Sequence, residues 1–140
     1  MKLLKQQAYV AGEWMDADTH IQVTNPATGD LIGQVPALGR EHTRKAIEAA
    51  SAAQPSWAAQ TAKHRGQVLR RWYELMIENS EALAVLMTTE QGKPLAEARG
   101  EVAYAASFAE WFSEEAKRVY GHTIPAHKTD ARIVVQQQPV

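Results

Sequence analysis

The sequence of 140 residues contains no cysteine, which excludes a disulfide framework, a thiolate metal ligand and a cysteine nucleophile from this chain. It also lacks an apolar run of the roughly 18 residues that a membrane-spanning helix needs, and its first seven residues form no apolar signal-peptide core. Neither sign of charge predominates, because 15 Lys and Arg face 16 Asp and Glu for a formal net charge of -1. We therefore predict a soluble, cytoplasmic protein without a nucleic-acid or membrane partner.

Several common catalytic and binding motifs are also missing. There is no G-x-G-x-x-G dinucleotide fingerprint and no G-x-S-x-G nucleophile turn. The dipeptide Gly92-Lys93 is not a phosphate loop, because Met87 stands where that motif needs glycine and Pro94 where it needs Ser or Thr. His122 and His127 lack further ligands at zinc spacing. The residues alone therefore predict no active site and no transition-metal site.

The spacing of apolar and turn-forming residues predicts an α/β chain in three segments. Residues 1–36 form two β-hairpins, since Gly12 lies between two strand-forming runs and a turn at 25–30 separates a second pair. Residues 41–120 show the three- and four-residue spacing of about four helices. Residues 121–140 form a loop followed by the start of a strand.

Breaking and capping residues predict where the helices begin and end. The first helix ends at Pro55, and the second begins near Ala62. Ser80 is the predicted N-cap of the third helix, which stops at Gly92. The fourth helix is long and runs from Pro94 to about Tyr120.

Two of these helices carry conspicuous apolar faces. The predicted core face of the second helix consists of Val68, Trp72, Leu75 and Met76. The fourth helix is apolar on one face through Leu95, Val102, Ala109 and Phe112 or Ala116, and on a second face through Tyr104, Phe108 and Trp111. A helix of this kind must be covered on both sides. The strand at 133–138 has no evident partner.

Five strings of residues occur in an order and at a spacing that resemble a known family. They are Gly12-Glu13-Trp14, residues 24–29 (Thr-Asn-Pro-Ala-Thr-Gly), residues 90–98 (Glu-Gln-Gly-Lys-Pro-Leu-Ala-Glu-Ala), Glu101-Val102 and residues 120–125 (Tyr-Gly-His-Thr-Ile-Pro). Together they resemble the N-terminal part of the aldehyde dehydrogenase superfamily. Within it, residues 100–112 are most similar to bacterial succinate-semialdehyde dehydrogenase.

The resemblance implies an incomplete aldehyde dehydrogenase fold, with the catalytic domain and most of the cofactor domain absent. In that family a cysteine thiolate attacks the aldehyde, an asparagine and a backbone amide stabilise the oxyanion, and hydride passes to NAD or NADP. None of those motif positions exists in this chain, so we expect no catalytic residue, no cofactor-binding residue and no activity from it alone. The full-length enzyme is expected to be a homo-oligomer, with residues 121–140 opening its oligomerisation strand.

The family's long helix lines the mouth of the aldehyde tunnel, and the resemblance assigns this role to four positions here. These are Gly100, Glu101, Tyr104 and Phe108, with Trp111 a turn further along. The alternative is that the aromatic residues are a helical stripe used for ordinary packing.

Some members of the family also hold a monovalent cation. The corresponding ligands here are the backbone carbonyls of Val23 and Thr24 and the carboxylate of Glu90. A further ligand lies beyond residue 140 in the family, so the site is expected to be incomplete.

Three functions from different classes remain open at this stage. The first is a fragment of an NAD(P)-dependent aldehyde dehydrogenase acting on succinate semialdehyde, truncated as a gene or cut from a longer chain. The second is a helical binding module that covers its apolar faces with a partner protein. The third, an oligonucleotide-binding protein, depends only on the basic residues around Arg70, which nearby glutamates offset.

Overall fold

The computed structural model describes residues 3–138, which form four helices and three antiparallel strand pairs. The strands are β1 (Ala8–Val10), β2 (Glu13–Met15), β3 (His20–Thr24), β4 (Leu31–Pro36), β5 (His122–Ile124) and β6 (Ile133–Val135). The helices are α1 (Arg40–Ala58), α2 (Ala62–Glu78), α3 (Ser80–Gln91) and α4 (Leu95–Glu115). The predicted combination of hairpins and four helices is confirmed. Among the described residues, no helix is both long and apolar enough to cross a membrane.

The N-terminal hairpin closes through a two-residue turn. Ala11 and Gly12 both have positive φ, at 56° and 87°, as the common type I′ hairpin turn requires. The pairing β1 to β2 sets Tyr9 opposite Trp14, with their ring centroids 5.0 Å apart.

The core lies between α4 and the two helices that pack on it, α2 and α3. It is built from small residues, with Ala84, Ala98 and Val102 at its centre. A Cβ built on Gly66 of α2 would lie only 2.6 Å from the carbonyl oxygen of Ser113 in α4. The absence of a side chain at Gly66 therefore lets the two helices approach closely.

Several predicted boundaries were wrong. Helix α1 continues through Pro55 to Ala58, because proline removes one helical hydrogen bond while later bonds persist, such as that from Ala59 N to Pro55 O. Asn79, not Ser80, is the N-cap of α3. Helix α4 begins after Pro94 and ends at Glu115, five residues before Tyr120.

The C-terminal strand was also misjudged. It has a partner within the described residues, since β6 pairs antiparallel with β5, and it covers only 133–135 of the predicted 133–138. The close approach of Gly121 to this strand helps to explain the pairing, because a Cβ there would lie 2.3 Å from the carbonyl oxygen of Val135.

The predicted core face of α2 is largely exposed. Val68, Trp72 and Leu75 are 44%, 58% and 42% exposed, and only Met76 of that set is half-buried. The face that meets α4 is the one containing Gly66, and its half-buried members include Leu69, Tyr73 and Met76. In α4, Val102 and Ala109 are buried as predicted, but Phe112 is exposed and Ser113 takes the buried position.

Candidate functional site

Three of the four aromatic residues of α4 form an exposed row on the side away from the core. The buried row of this helix is Ala98, Val102, Ala106, Ala109 and Ser113. Tyr104, Phe108 and Trp111 each lie two residues after a member of this buried row. Two residues correspond to a rotation of about 200° around the helix. They are 66%, 48% and 64% exposed. We call Tyr104, Phe108 and Trp111 the α4 aromatic row.

A shallow surface cavity of about 660 Å³ follows this row. Its lining consists of Tyr104, Ser107, Phe108, Glu110, Trp111, Phe112 and Glu114. Tyr104 and Phe108 meet edge to face, with ring centroids 4.9 Å apart and an interplanar angle of 77°, a preferred aromatic geometry.

The carboxylates at the cavity are paired with cations from outside it. Arg70 of α2 donates to Glu110 at 3.2 Å, and its guanidinium lies 4.8 Å from the ring centroid of Tyr73. Glu114 lies 3.9 Å from the guanidinium of Arg118. The cavity therefore presents aromatic surface with a neutralised rim, which is suited to contact with apolar atoms rather than to proton transfer.

The four positions assigned to the tunnel mouth fall into two pairs. Tyr104 and Phe108 both line the cavity, whereas Gly100 and Glu101 lie about one turn earlier on α4 and do not line it. The Glu101 carboxylate accepts a hydrogen bond from the Lys93 ammonium. This bond raises the pKa of Lys93 above its ordinary value. The tunnel role of all four positions stays a prediction.

The positions assigned to the cation belong to neighbouring segments. Gly92 caps α3 in the left-handed region at φ 76°, and a Cβ there would lie 2.9 Å from Cγ of Pro26. The turn after β3 therefore contacts the C-terminal end of α3. Pro26 lies two residues after Thr24, and Gly92 lies two residues after Glu90. Their carbonyl and carboxylate oxygens are the donor type that hard cations prefer.

The cation site nevertheless stays a prediction. Among residues 3–138, no group of three or more His, Asp or Glu side chains could hold a metal ion, and a site built mainly of backbone carbonyls would leave no such group. The hydroxyl of Thr88, in the last turns of α3, is a buried oxygen without a hydrogen-bond partner.

Two interactions around the aromatic row were missed by the sequence reasoning. The pairs Lys93 with Glu101 and Arg70 with Glu110 join residues that are not three or four apart on one helix. Helical spacing is the only local signal for an ion pair, and neither pair has it, so neither could be found from the sequence.

Comparison with known proteins identifies the fold. A model described as the aldehyde dehydrogenase family matches residues 14–140. The chain is 64% identical to the glutarate-semialdehyde dehydrogenase of Pseudomonas putida over 99% of its own length. It is 57% identical to the NADP(+) succinate-semialdehyde dehydrogenase of Escherichia coli, again over 99% of its length. In both cases it spans 29% of the relative.

A solved structure agrees with these relatives. The Escherichia coli NADP-dependent enzyme superposes with a TM-score of 0.91 at 57% identity, over 95% of this chain and 28% of that one. The predicted resemblance is confirmed. The chain belongs to the aldehyde dehydrogenase family and corresponds to an N-terminal part of it.

Proposed function

We propose that this chain is the N-terminal part of an NAD(P)-dependent dehydrogenase that oxidises a short dicarboxylic semialdehyde of four or five carbons. The observation that carries the proposal is the 64% and 57% identity to glutarate- and succinate-semialdehyde dehydrogenases along 99% of the chain. The sequence alone favoured succinate semialdehyde. The Pseudomonas relatives support widening the substrate class to include glutarate semialdehyde.

The chemistry of the α4 aromatic row is compatible with such a substrate. Its rings offer apolar contact to the methylene groups of a semialdehyde. The cavity lining includes Glu110 and Glu114 and no cationic side chain. The substrate carboxylate is therefore expected to bind elsewhere in the enzyme, and Tyr104 and Phe108 to contact the carbon chain.

The chain supplies no nucleophile of the family's kind, because it contains no cysteine. We predict that the purified 140-residue chain produces no NADH or NADPH with succinate or glutarate semialdehyde. The measurement is absorbance at the reduced-cofactor wavelength with either cofactor, against a buffer blank. Aldehyde-dependent reduction that survives repurification would contradict the prediction.

The substrate class is tested by joining this chain to the part of the Pseudomonas putida relative that lies outside the matched segment. We expect the chimera to oxidise both semialdehydes with kcat/KM at least about tenfold higher than for butanal, which has no carboxylate. The unmodified relative is the control. A chimera that folds and prefers butanal would overturn the proposed substrate class.

The second candidate, a helical binding module, draws support from the exposure of the α4 aromatic row. A catalytically inert chain that is monomeric and unfolds in one sharp transition would favour this candidate, because it would then fold independently, as a separate binding module must.

A further inference from the structure

The cavity along the α4 aromatic row carries charge of the same sign as the proposed substrate. Its lining includes the carboxylates of Glu110 and Glu114 and no cationic side chain, and a dicarboxylic semialdehyde is itself an anion. Two like charges about 7 Å apart weaken binding by roughly threefold in bulk water and by more than tenfold at the lower effective dielectric of a protein surface. The cavity therefore binds such an anion well only when its glutamates are neutralised.

Arg70 of α2 neutralises Glu110 from outside the cavity. Its Nη1 donates to Oε1 of Glu110 at 3.2 Å. Within residues 3–138, no other cationic side chain lies within ion-pairing distance of Glu110. Glu114 has a cation of its own on α4, since the guanidinium of Arg118 lies 3.9 Å from its carboxylate.

The surroundings of Arg70 direct its charge towards α4. The guanidinium lies 4.8 Å from the ring centroid of Tyr73, a residue of the α2 face that meets α4, and such stacking orients arginine. Its Nε lies 3.4 Å from Glu74, but Arg71 lies at the same distance from that carboxylate. Because Glu74 has a second cation, the loss of Arg70 would leave Glu110 the more exposed of the two glutamates to uncompensated charge.

We propose that Arg70 is a positioning residue that gives the cavity its tolerance of an anionic substrate. It acts through Glu110, whose negative charge it cancels, and it takes no part in the chemical step. The side chains of the pair are 48% and 41% exposed, so the pair contributes little to stability and its main effect is on charge. The inference rests on the proposed function, in which Tyr104 and Phe108 contact the carbon chain of a semialdehyde.

The test uses the chimera with the Pseudomonas putida relative. Arg70→Gln should raise KM for succinate and glutarate semialdehyde at least about threefold, with kcat and the KM for uncharged butanal nearly unchanged. The increase should shrink in about 0.5 M NaCl. The matched control is Arg71→Gln, because Arg71 pairs with Glu74 and Glu78 instead of Glu110, and it should leave all these constants unchanged.

Rescue variants separate the charge of Arg70 from its contact with α4. Arg70→Lys retains the charge and should keep KM close to that of the wild type. Combining Arg70→Gln with Glu110→Gln removes both charges and should restore KM, although the contact between α2 and α4 stays broken. Glu110→Gln alone should leave KM for the semialdehydes unchanged or lower it, which provides a test even if Arg70→Gln does not fold.

Three results would overturn the role of Arg70. They are an unchanged KM for the semialdehydes in Arg70→Gln, an equal rise in KM for butanal, and a double variant that does not recover. A rise in KM for the semialdehydes in Glu110→Gln alone would also overturn it. Preference of the unsubstituted chimera for butanal would instead contradict the proposed function, and that comparison is made before any residue is changed.

Discussion

At the scale of single residues, two glycines on the central helices have opposite surroundings. A Cβ at Gly66 would lie 2.6 Å from a backbone oxygen of α4, whereas a Cβ at Gly100 would meet no atom within 4 Å other than its chain neighbours and the backbone of its own helix. Backbone cannot move aside as a flexible side chain can. The two positions therefore form a matched pair for measuring how much of the stability depends on the approach of α2 to α4.

We predict that Gly66→Ala lowers the free energy of unfolding by about 1 to 3 kcal/mol, because the added methyl group forces α2 and α4 apart. Gly100→Ala should raise it by up to about 1 kcal/mol, since alanine is the better helix former. Urea titration followed by far-UV circular dichroism measures both. Equal effects of the two substitutions would show that the close approach does not matter.

Substitution of Tyr104 can distinguish a role in substrate binding from a role in packing. Its side chain is 66% exposed, so Tyr104→Ala should leave the stability of this chain almost unchanged. In the chimera with the Pseudomonas relative, the same change should raise KM for the semialdehyde more than it lowers kcat, because the residue contributes substrate binding. Unchanged kinetic constants with a lowered Tm would favour packing instead.

At the scale of elements, α3 and α4 are joined by a bidentate ion pair. Arg99 donates to the two carboxylate oxygens of Glu81 at 2.8 and 2.7 Å. This interaction lowers the pKa of Glu81 below its ordinary value of 4.5. Because the pKa of Glu81 is lower in the folded than in the unfolded state, the ion pair stabilises the protein at pH values above the unfolded-state pKa. This stabilisation is lost as the pH falls through the folded-state pKa.

We predict that Arg99→Gln reduces stability slightly at pH 7 and that the difference from wild type disappears as pH falls below 4.5. The effect should be small, because both side chains are exposed. It should be suppressed by about 0.5 M NaCl, since the Debye length at that ionic strength is below about 5 Å. The urea midpoint at several pH values measures it. A difference that persists unchanged in acid and in salt would contradict the ion-pair explanation.

The helices and strands also show which structural features can be predicted from the sequence. The turns at Gly12 and Gly29 and the break at Gly92 were predictable, because each depends on the backbone freedom of one residue and its immediate neighbours. The buried face of α2 was not, since positions 68, 72 and 75 and positions 69, 73 and 76 both follow helical spacing. The choice between them depends on the contact of Gly66 with Ser113, which is distant in sequence.

The α4 aromatic row could be predicted from the sequence to a similar extent. The spacing of Tyr104, Phe108 and Trp111 predicted one aromatic face, and the structure places them together on it. The ion pairs of Arg70 with Glu110 and of Lys93 with Glu101 could not be predicted, because they require the tertiary arrangement.

At the scale of the whole molecule, the exposed apolar side chains of α2 and α4 indicate whether the isolated chain should associate. We predict an association-prone species with strong helical circular dichroism, appreciable ANS binding and a broad thermal transition. Light scattering after size exclusion, repeated over a range of concentrations, measures the association. A monomer with one sharp transition and no ANS binding would show that the chain is self-sufficient.

The strand pairing has a consequence for how the chain acquires its structure. Each sheet joins two strands that are consecutive among the strands of the sequence, as β1 with β2, β3 with β4 and β5 with β6. Pairing of this local kind closes short loops and is kinetically fast. The two N-terminal hairpins can therefore form on a growing polypeptide before α4 has been synthesised, and the slow step is expected to be the docking of helices, not the assembly of sheets.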